Sequence, residues 1–510
     1  MPFALCLSPY VLSFMSRPLR ILIVSTEVDP IAGTGELGRS VGGLAKALKS
    51  LGVDARVVMP KYRRANINLS KATKLVQRVR IRTLNRFGEM SILRDEIPGE
   101  VPVYLLEKEK YFDRDYIYGD PGQAYQDNAE RFSFFCLAAL EMFVQIGFYP
   151  NVIHCHDWHT GLIPAYLETL FRKDSLYTPI TTVFTIHDLI HQGRFSRETL
   201  SVTGLPEAIY NPEGIEFYGG ISFLKAGLIY ADILTTESKR YSHEIQTSEY
   251  GRGFEGIFQK RSKDLYGVIN GVDYKSYDPR MDPHIIVNYT KDEVEKKQHC
   301  KQDLLETCGF DQCPDLPLVG MIAPLDQEKG IDLLINALDN MMKMYIRFVF
   351  LQAGNSQNET YMNTLRMFTR KYPHHFQCYL KDDDTIKHKI LAGSDLLLIP
   401  SKTEPSGVLQ LYALKYGTIP LVRATGGLDD TILEFQPESG KGTGFKFSEY
   451  APAALLAKLQ DALMVYHNRS LWDLLQANAM RVDYSWVYTA KKYVNLYKLA
   501  IERARTLPGA

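Results

Sequence analysis

Residues 398–431 read LIPSKTEPSGVLQLYALKYGTIPLVRATGGLDDT, and this stretch decides the fold. It predicts a strand at 396–400, which begins two residues before the quoted stretch, and then a loop around Glu404. A helix at 408–416, a second strand at 419–422 and a second loop at Thr425-Gly426-Gly427 follow. Loops of this kind lie at the carboxyl ends of parallel strands, where α/β sheets bind ligands. A carboxylate, a threonine and two glycines gathered there indicate a site for a sugar and a phosphate.

The composition is that of a globular protein with two domains. The chain has 510 residues, 45% apolar and 23% charged, and this length exceeds one ordinary core. Basic and acidic residues each number 59, so the zero net charge gives no support for a nucleic-acid or membrane partner. Seven cysteines at irregular spacing indicate reduced thiols and a cytoplasmic location. We expect neither a metal nor a cofactor, because the group His299, Cys300, Cys308 and Cys313 lacks a second close pair.

Strand and helix patterns alternate along most of the chain. The apolar run 21–24 suits a strand buried on both faces, leucines and valines from Leu37 to Leu51 recur at helical spacing, and 53–59 predicts the next strand. A second series begins at 318–322. Because a right-handed βαβ crossover belongs to a doubly wound sheet, the pattern predicts an α/β protein with two Rossmann-like doubly wound domains that face a cleft.

Changes in composition predict the domain boundaries. The predicted segments are an N-terminal domain at 18–275, a polar linker at 276–315, a C-terminal domain at 316–483, and a final helix at 484–510 that crosses back to the first domain. Residues 1–17 carry an apolar run without the basic start of a signal peptide. They predict a disordered extension, or a start codon assigned too early with Met15 as the true first residue.

Short motifs follow one another in a fixed order. They are Tyr125-x-Asp127-Asn128, His154-x-His156-Asp157-Trp158-His159, Thr185-Ile186-His187, Asn270-Gly271-Val272-Asp273, Glu404-Pro405-x-Gly407 and Thr425-Gly426-Gly427-Leu428. In this order they closely resemble bacterial glycogen synthases and plant starch synthases, and the resemblance runs from about Arg20 to Lys498. It implies the GT-B fold of retaining glycosyltransferases.

The resemblance also implies a reaction. A glucosyl unit moves from a nucleotide-diphosphate donor, expected to be ADP-glucose, to the 4-hydroxyl end of an α-1,4-glucan with retention of configuration. The transition state resembles an oxocarbenium ion leaving a diphosphate, so the protein must neutralise departing negative charge and hold the sugar in place.

Roles for single residues follow from the same resemblance. His187 is expected beside the reacting sugar, Glu404 on the sugar hydroxyls, and Lys329 on the diphosphate. The other expected contacts are Gly35, Thr425, Gly426 and Gly427 on the donor side and Asn128 and Asp157 on the acceptor side. For Asn128 and Asp157, structural capping is an equally good interpretation.

At two positions this sequence lacks the basic residue that binds the donor phosphates in the family. An ungapped alignment of the first loop, Lys-x-Gly-Gly-Leu-x-Asp in the family, places Gly33 at the lysine, Glu36 at the second glycine and Arg39 at the aspartate. A shifted frame at 41–44 restores the glycines but leaves Ser40 at the lysine. In the second loop the phosphate-binding arginine is Pro324. Loss of one such group commonly costs on the order of 3 kcal/mol, and loss of two roughly 5 kcal/mol if they act independently.

The family also has an aromatic residue against the base of the nucleotide, and the corresponding residue here is Asp382. Lys402, Arg39 and Arg423 are candidates to supply the missing charge. Three hypotheses follow: an active ADP-glucose-dependent synthase, a catalytically impaired paralogue that binds glucan or an active synthase, and a related enzyme that uses another nucleotide sugar such as UDP-glucose.

Overall fold

The computed structural model describes residues 18–33, 35–66, 73–80, 89–120, 122–311, 315–354 and 358–506. The extension predicted at 1–17 lies outside the described residues. The described residues pack into two compact units. The N-terminal unit falls within Met1–Thr236, Ile245–Gly271 and Trp486–Ala510, and the C-terminal unit comprises Glu237–Glu244 and Val272–Ser485.

A nine-stranded sheet forms the centre of the N-terminal unit, in the order β14-β13-β9-β8-β1-β2-β5-β4-β3. Its strands are β1 (Arg20–Val24), β2 (Asp54–Pro60), β3 (Thr73–Arg80), β4 (Glu89–Ile97), β5 (Val101–Glu107), β8 (Val152–His156), β9 (Thr181–Ile186), β13 (Ile233–Thr236) and β14 (Leu265–Gly267). Pairing is parallel from β14 to β5, and the β5-β4-β3 edge is antiparallel. The strand predicted at 21–24 is confirmed, with all four side chains fully buried.

Helices cover this sheet and connect its strands. They are α1 (Glu36–Ser50), α2 (Glu109–Phe112), α3 (Asn128–Gln145), α4 (Leu162–Tyr166), α5 (Leu200–Thr203), α6 (Phe223–Tyr230) and α8 (Glu255–Lys260). The helix between the last two in the chain, α7 (Lys239–Glu244), groups with the C-terminal unit. The helix α1 confirms the helix predicted from its leucine spacing.

Two small sheets lie outside the large one. One is the hairpin of β6 (Gly119–Asp120) and β7 (Gln123–Ala124). The other has the order β10-β12-β11 and consists of β10 (Arg194–Phe195), β11 (Glu216–Phe217) and β12 (Gly220–Ser222). A two-residue turn, Tyr218-Gly219, joins β11 to β12, and both residues have positive φ, 49° and 80°.

The C-terminal unit contains a six-stranded sheet in the order β17-β16-β15-β18-β19-β20, parallel throughout. Its strands are β15 (Leu318–Ala323), β16 (Arg347–Gln352), β17 (Phe376–Tyr379), β18 (Leu396–Ile399), β19 (Ile419–Arg423) and β20 (Phe445–Phe447). Its helices are α9 (Lys297–Thr307), α10 (Ile331–Met342), α11 (Glu359–Lys371), α12 (Asp384–Gly393), α13 (Leu409–Tyr416), α14 (Gly426–Thr431), α15 (Pro452–His467) and α16 (Arg469–Arg481).

The segment predicted as a linker, 276–315, groups with the C-terminal unit. Its helix α9 carries Lys297, whose buried ammonium donates hydrogen bonds to the backbone oxygen of Ala392 and to Thr418 Oγ1, each at 2.6 Å. Burial lowers the pKa of Lys297 to about 7. The polar composition of this segment therefore includes a lysine that is part of the core.

The last helix, α17 (Trp486–Thr506), groups with the N-terminal unit. The indole of Trp486 fills the space above Gly43 of α1, where an added Cβ would lie 2.2 Å from Nε1. No helix among the described residues is both long and apolar enough to cross a membrane.

Substitution of Gly43 tests this packing. We expect Gly43→Ala to lower the free energy of unfolding by about 1–3 kcal/mol, because an added methyl group overpacks the contact with Trp486. Urea denaturation measures the change. The matched control is Gly256→Ala in α8, where an added Cβ meets nothing within 4 Å; there we expect a neutral or slightly stabilising effect. Equal effects of the two variants would contradict the packing role.

Candidate active site

In the N-terminal unit, two predicted residues meet at the carboxyl ends of neighbouring strands. Asp157 follows β8 and His187 follows β9, and these strands are paired in parallel. The backbone N–H of His187 donates to Asp157 Oδ1 at 2.9 Å, and the N–H of Asp157 donates to the backbone oxygen of Thr185 at 3.0 Å. Asp157 has φ 58°, a strained conformation for a residue other than glycine. One carboxylate oxygen of Asp157 therefore positions His187.

A ladder of two imidazoles, those of His154 and His156, supports His187. His156 Nδ1 lies 2.9 Å from His187 Nε2, and the rings of His154 and His156 are 4.2 Å apart. His154 Nδ1 lies 2.8 Å from the hydroxyl of Tyr497 in α17, and its Nε2 lies 2.6 Å from Thr185 Oγ1. The sequence placed His154 and His156 in a motif but did not predict their contacts.

Burial keeps His154 and His156 neutral. It lowers the pKa of His154 to about 3 and the pKa of His156 well below its usual value. His156 Nε2 is buried without a hydrogen-bond partner among the described residues. Because an unpaired buried N–H is rarer than an unpaired acceptor, we assign the proton of His156 to Nδ1. His156 then donates to His187 Nε2, which leaves the ring proton of His187 on Nδ1.

Asn128 has the contacts of a structural residue. It is 4% exposed. Its Nδ2 donates to the backbone oxygen of Tyr118 at 2.8 Å, and its Oδ1 accepts from Nη1 of the buried Arg131 at 2.6 Å. A direct contact between Asn128 and an acceptor stays a prediction.

The first loop enters α1 at the position given by the ungapped alignment. Gly35 is the residue before the helix, and α1 begins at Glu36. Gly42 and Gly43 lie inside α1, where an added Cβ on Gly42 would lie 2.5 Å from the backbone oxygen of Asp29. The shifted frame is therefore wrong, since its glycines serve helix packing.

The surroundings of Gly33 are anionic. A Cβ on Gly33 would lie 3.6 Å from Oε2 of Glu27, whose carboxylate is buried. The hydroxyl of Tyr118 donates to Glu27 Oε1 at 2.5 Å. Arg39, in α1, is exposed.

In the C-terminal unit, the structure pairs Lys329 with Glu404. Their loops follow β15 and β18, which are neighbours in the sheet. Lys329 Nζ lies 2.8 and 2.7 Å from the two carboxylate oxygens of Glu404, and Ser401 Oγ donates to Oε2 at 3.0 Å. Glu404 is 7% exposed. Lys329, predicted to bind the diphosphate, and Glu404, predicted to bind the sugar, thus form one ion pair.

Backbone contacts hold the two loops together. Lys402 N–H donates to the backbone oxygen of Glu328 at 2.8 Å. Gly330 has φ 79°, and an added Cβ there would lie 2.4 Å from the backbone oxygen of Pro400. Only glycine fits this position without strain, because the conformation is left-handed and the approach is close.

The residues predicted on the donor side at Thr425, Gly426 and Gly427 have protein partners in this structure. Gly426 N–H donates to the carboxylate of Glu244 at 3.2–3.3 Å, and Thr425 Oγ1 lies 3.3–3.4 Å from the same group. Gly427 N–H donates to the backbone oxygen of Glu404 at 2.9 Å. No motif pointed to Glu244, which is 182 residues before Gly426.

The remaining candidate cations differ in their contacts. Arg423 donates to the backbone oxygens of Lys402 at 2.7 Å and Ser448 at 3.1 Å, so it fixes the loop that carries Glu404. Lys402 itself is exposed. Asp382, at the base-side position, accepts from the N–H of Gly354 at 3.0 Å.

Comparison with known proteins places this geometry in a family. A model of the starch synthase catalytic domain matches residues 20–260, and a model of glycosyl transferases group 1 matches 313–470. Glycogen synthase of Fervidobacterium nodosum is 41% identical over 94% of this chain and 99% of its own, and that of Moorella thermoacetica is 40% identical over 96% and 99%. The chain belongs to the glycogen and starch synthase family. Membership implies a glycosyltransferase with a nucleotide-sugar donor and a glucan acceptor.

Solved structures agree with this family assignment. The catalytic domain of starch synthase IV from Arabidopsis thaliana, bound to ADP and acarbose, has a TM-score of 0.83 and 29% identity, and the match covers 96% of this chain and 100% of that one. Sucrose-phosphate synthase from Thermosynechococcus elongatus has a TM-score of 0.56 at 15% identity, covers 95% and 100%, and shows a likeness of fold alone. The predicted GT-B fold with two Rossmann-like domains is confirmed.

The buried histidines predict loss of stability in acid. Burial lowers the pKa of His159, whose ring lies 4.0 Å from Trp158 and 4.5 Å from Tyr118, so the unfolded chain takes up a proton below about pH 6.5 that the folded chain refuses. His159→Phe keeps the aromatic contacts and removes this titration. Relative to wild type, we expect the variant to gain about 2 kcal/mol more at pH 5 than at pH 7.5.

Urea denaturation at the two pH values measures this difference. His299→Gln, at an exposed histidine of α9, is the control and should leave the pH dependence unchanged. An equal gain for His159→Phe at both pH values would show that proton uptake by His159 is not the cause.

Proposed function

We propose that this protein transfers glucose from ADP-glucose to the 4-hydroxyl end of an α-1,4-glucan with retention of configuration. The Lys329–Glu404 ion pair carries the proposal, because it joins a cation and a buried carboxylate at the carboxyl ends of neighbouring parallel strands. The ADP bound in the related starch synthase IV supports an adenine nucleotide as donor.

The roles of the residues follow from the charges that develop in the reaction. Departure of the diphosphate leaves positive charge on the sugar and adds negative charge to the phosphates. Glu404 stabilises the first and Lys329 the second, and their fixed positions avoid reorganisation during the step. His187, held by Asp157 and His156, orients the sugar through a hydrogen bond to a hydroxyl.

Lys402 supplies part of the charge that Gly33 and Pro324 lack. Its side chain is exposed, and its backbone is bonded to the turn that carries Lys329. Arg423 is less suited, since its guanidinium already binds backbone oxygens.

The first test is incorporation of labelled glucose into glycogen, with ADP-glucose and UDP-glucose supplied separately. We expect incorporation from ADP-glucose and a loss of about a hundredfold or more in Glu404→Ala. Circular dichroism and glycogen binding establish that both proteins are folded. Incorporation from UDP-glucose without incorporation from ADP-glucose would contradict the proposed donor and identify UDP-glucose in its place.

A second test concerns Lys402. We expect Lys402→Met to lower kcat/KM for the donor about tenfold, because a charge near the departing phosphates is removed, and Lys402→Arg to retain most of the activity. The matched control is Lys343→Met, at an exposed lysine whose Nζ donates to Asn340 Oδ1. Equal activity of Lys402→Met and wild type would exclude the assigned role.

A catalytically impaired, glucan-binding paralogue is the second candidate function. The carboxylate of Glu244 at Gly426, which also pairs with Arg240 at 3.0 Å, and the buried Glu27 near Gly33 favour it, since both place a carboxylate where the family binds phosphate. Incorporation no higher than that of Glu404→Ala from either donor, by a protein that still binds glycogen, would decide for this candidate.

A further inference from the structure

Five non-glycine residues among those described have positive φ, and three of them lie in or next to contacts that involve Trp158, Gly193 or Arg194 of the N-terminal unit. They are Asp157, Arg252 and Tyr218, with φ of 58°, 49° and 49°. Such conformations cost free energy and cluster at functional sites. Asp157 belongs to the candidate active site, which leaves Arg252 and Tyr218 to be explained.

Tyr218 is an unusual residue for its turn. A two-residue hairpin turn with positive φ at both positions favours asparagine or aspartate followed by glycine. Tyr218 occupies the first position, and 73% of it is exposed. Two features of Tyr218 thus cost free energy of folding, a strained backbone and an aromatic ring in water. Asparagine at this position would avoid both.

Neighbouring side chains organise the ring of Tyr218. The ring lies edge-on to Phe217 at 4.6 Å, and Phe217 is itself stacked on Phe254 at 4.4 Å. The guanidinium of Arg194 lies 5.6 Å from the centre of the Tyr218 ring. Gly253 leaves room for the phenol, since an added Cβ would lie 3.1 Å from its hydroxyl oxygen.

A cavity of about 540 Å³ continues this surface toward the active site. Arg194 and Arg252 line it, as does Trp158, the residue after Asp157. Gln192 also lines it, and its Nε2 donates to the backbone oxygen of Arg252 at 3.1 Å. The cavity therefore joins Trp158, the sequence neighbour of Asp157, to Arg194, which contacts the ring of Tyr218.

We propose that Arg194, Tyr218 and Arg252, which we name the Tyr218 surface, bind a segment of an α-1,4-glucan chain. A glucose ring presents an apolar face to an aromatic side chain and hydroxyls to guanidinium donors. The inference rests on the proposed function, because continuity with the acceptor side identifies the occupant as a glucan.

Exposure and positive φ alone do not make a site, as Tyr345 shows. This tyrosine of the C-terminal unit has φ 53° and is 77% exposed, but it has no aromatic or guanidinium contact within the described part of the chain. It supplies a matched control for the test.

The test measures binding of maltoheptaose and glycogen to the full chain by calorimetry, without a donor sugar. We expect Tyr218→Asn to weaken both affinities about three- to tenfold and to leave the melting temperature equal or higher, since asparagine suits the turn. Tyr345→Asn should leave affinity unchanged. Tyr218→Trp, which keeps an aromatic ring, should retain it.

Several results would overturn the inference. They are unchanged affinity in Tyr218→Asn, an equal loss in Tyr345→Asn, and wild-type binding of cellohexaose as tight as that of maltoheptaose. If Tyr218→Asn does not fold, a tenfold loss of glucan affinity in a folded Tyr218→Trp variant would also overturn the inference. Binding that depends on Tyr218 in a protein without glucosyl transfer would reject the proposed function and leave the inference standing.

Discussion

Parallel pairing of neighbouring strands is the constraint on which two candidate clusters depend, Asp157 with His187 and Lys329 with Glu404. A parallel sheet brings the carboxyl ends of its strands to one edge, so the loops that follow β8 and β9, and those that follow β15 and β18, become neighbours. This places Asp157 beside His187 within the N-terminal unit and Lys329 beside Glu404 within the C-terminal unit. Residues 30 and 75 positions apart in the chain are thus in direct contact.

Packing behind these loops sets their chemistry. In the N-terminal unit, Tyr497 of the last helix contacts His154, the end of the ladder that reaches His187. Burial keeps the ladder neutral, so hydrogen bonds rather than charges orient the site. In the C-terminal unit charges do orient the loops, because the buried carboxylate of Glu404 is compensated by Lys329. The contacts of His187 therefore depend on the tautomers of the histidines behind it, and those of Glu404 depend on an ion pair.

Much of the fold could be predicted because buried parallel strands leave continuous apolar runs in the sequence. The strands predicted at 53–59 and 318–322 are confirmed to within one residue. The sequence did not reveal α3, since apolar residues surround this buried helix and erase the helical period. The small sheet with the Tyr218 turn was missed because its strands have only two or three residues.

The sequence by itself determined the class of fold, the succession of the two domains, the family and the loops that hold polar residues. These depend on local patterns and ordered motifs, which the chain displays without folding. Only the tertiary structure decided that Lys329 pairs with Glu404, that Glu244 reaches Gly426, and that Gly43 makes room for Trp486. Such contacts join residues far apart in the chain, and their partners are fixed by the packing of whole elements.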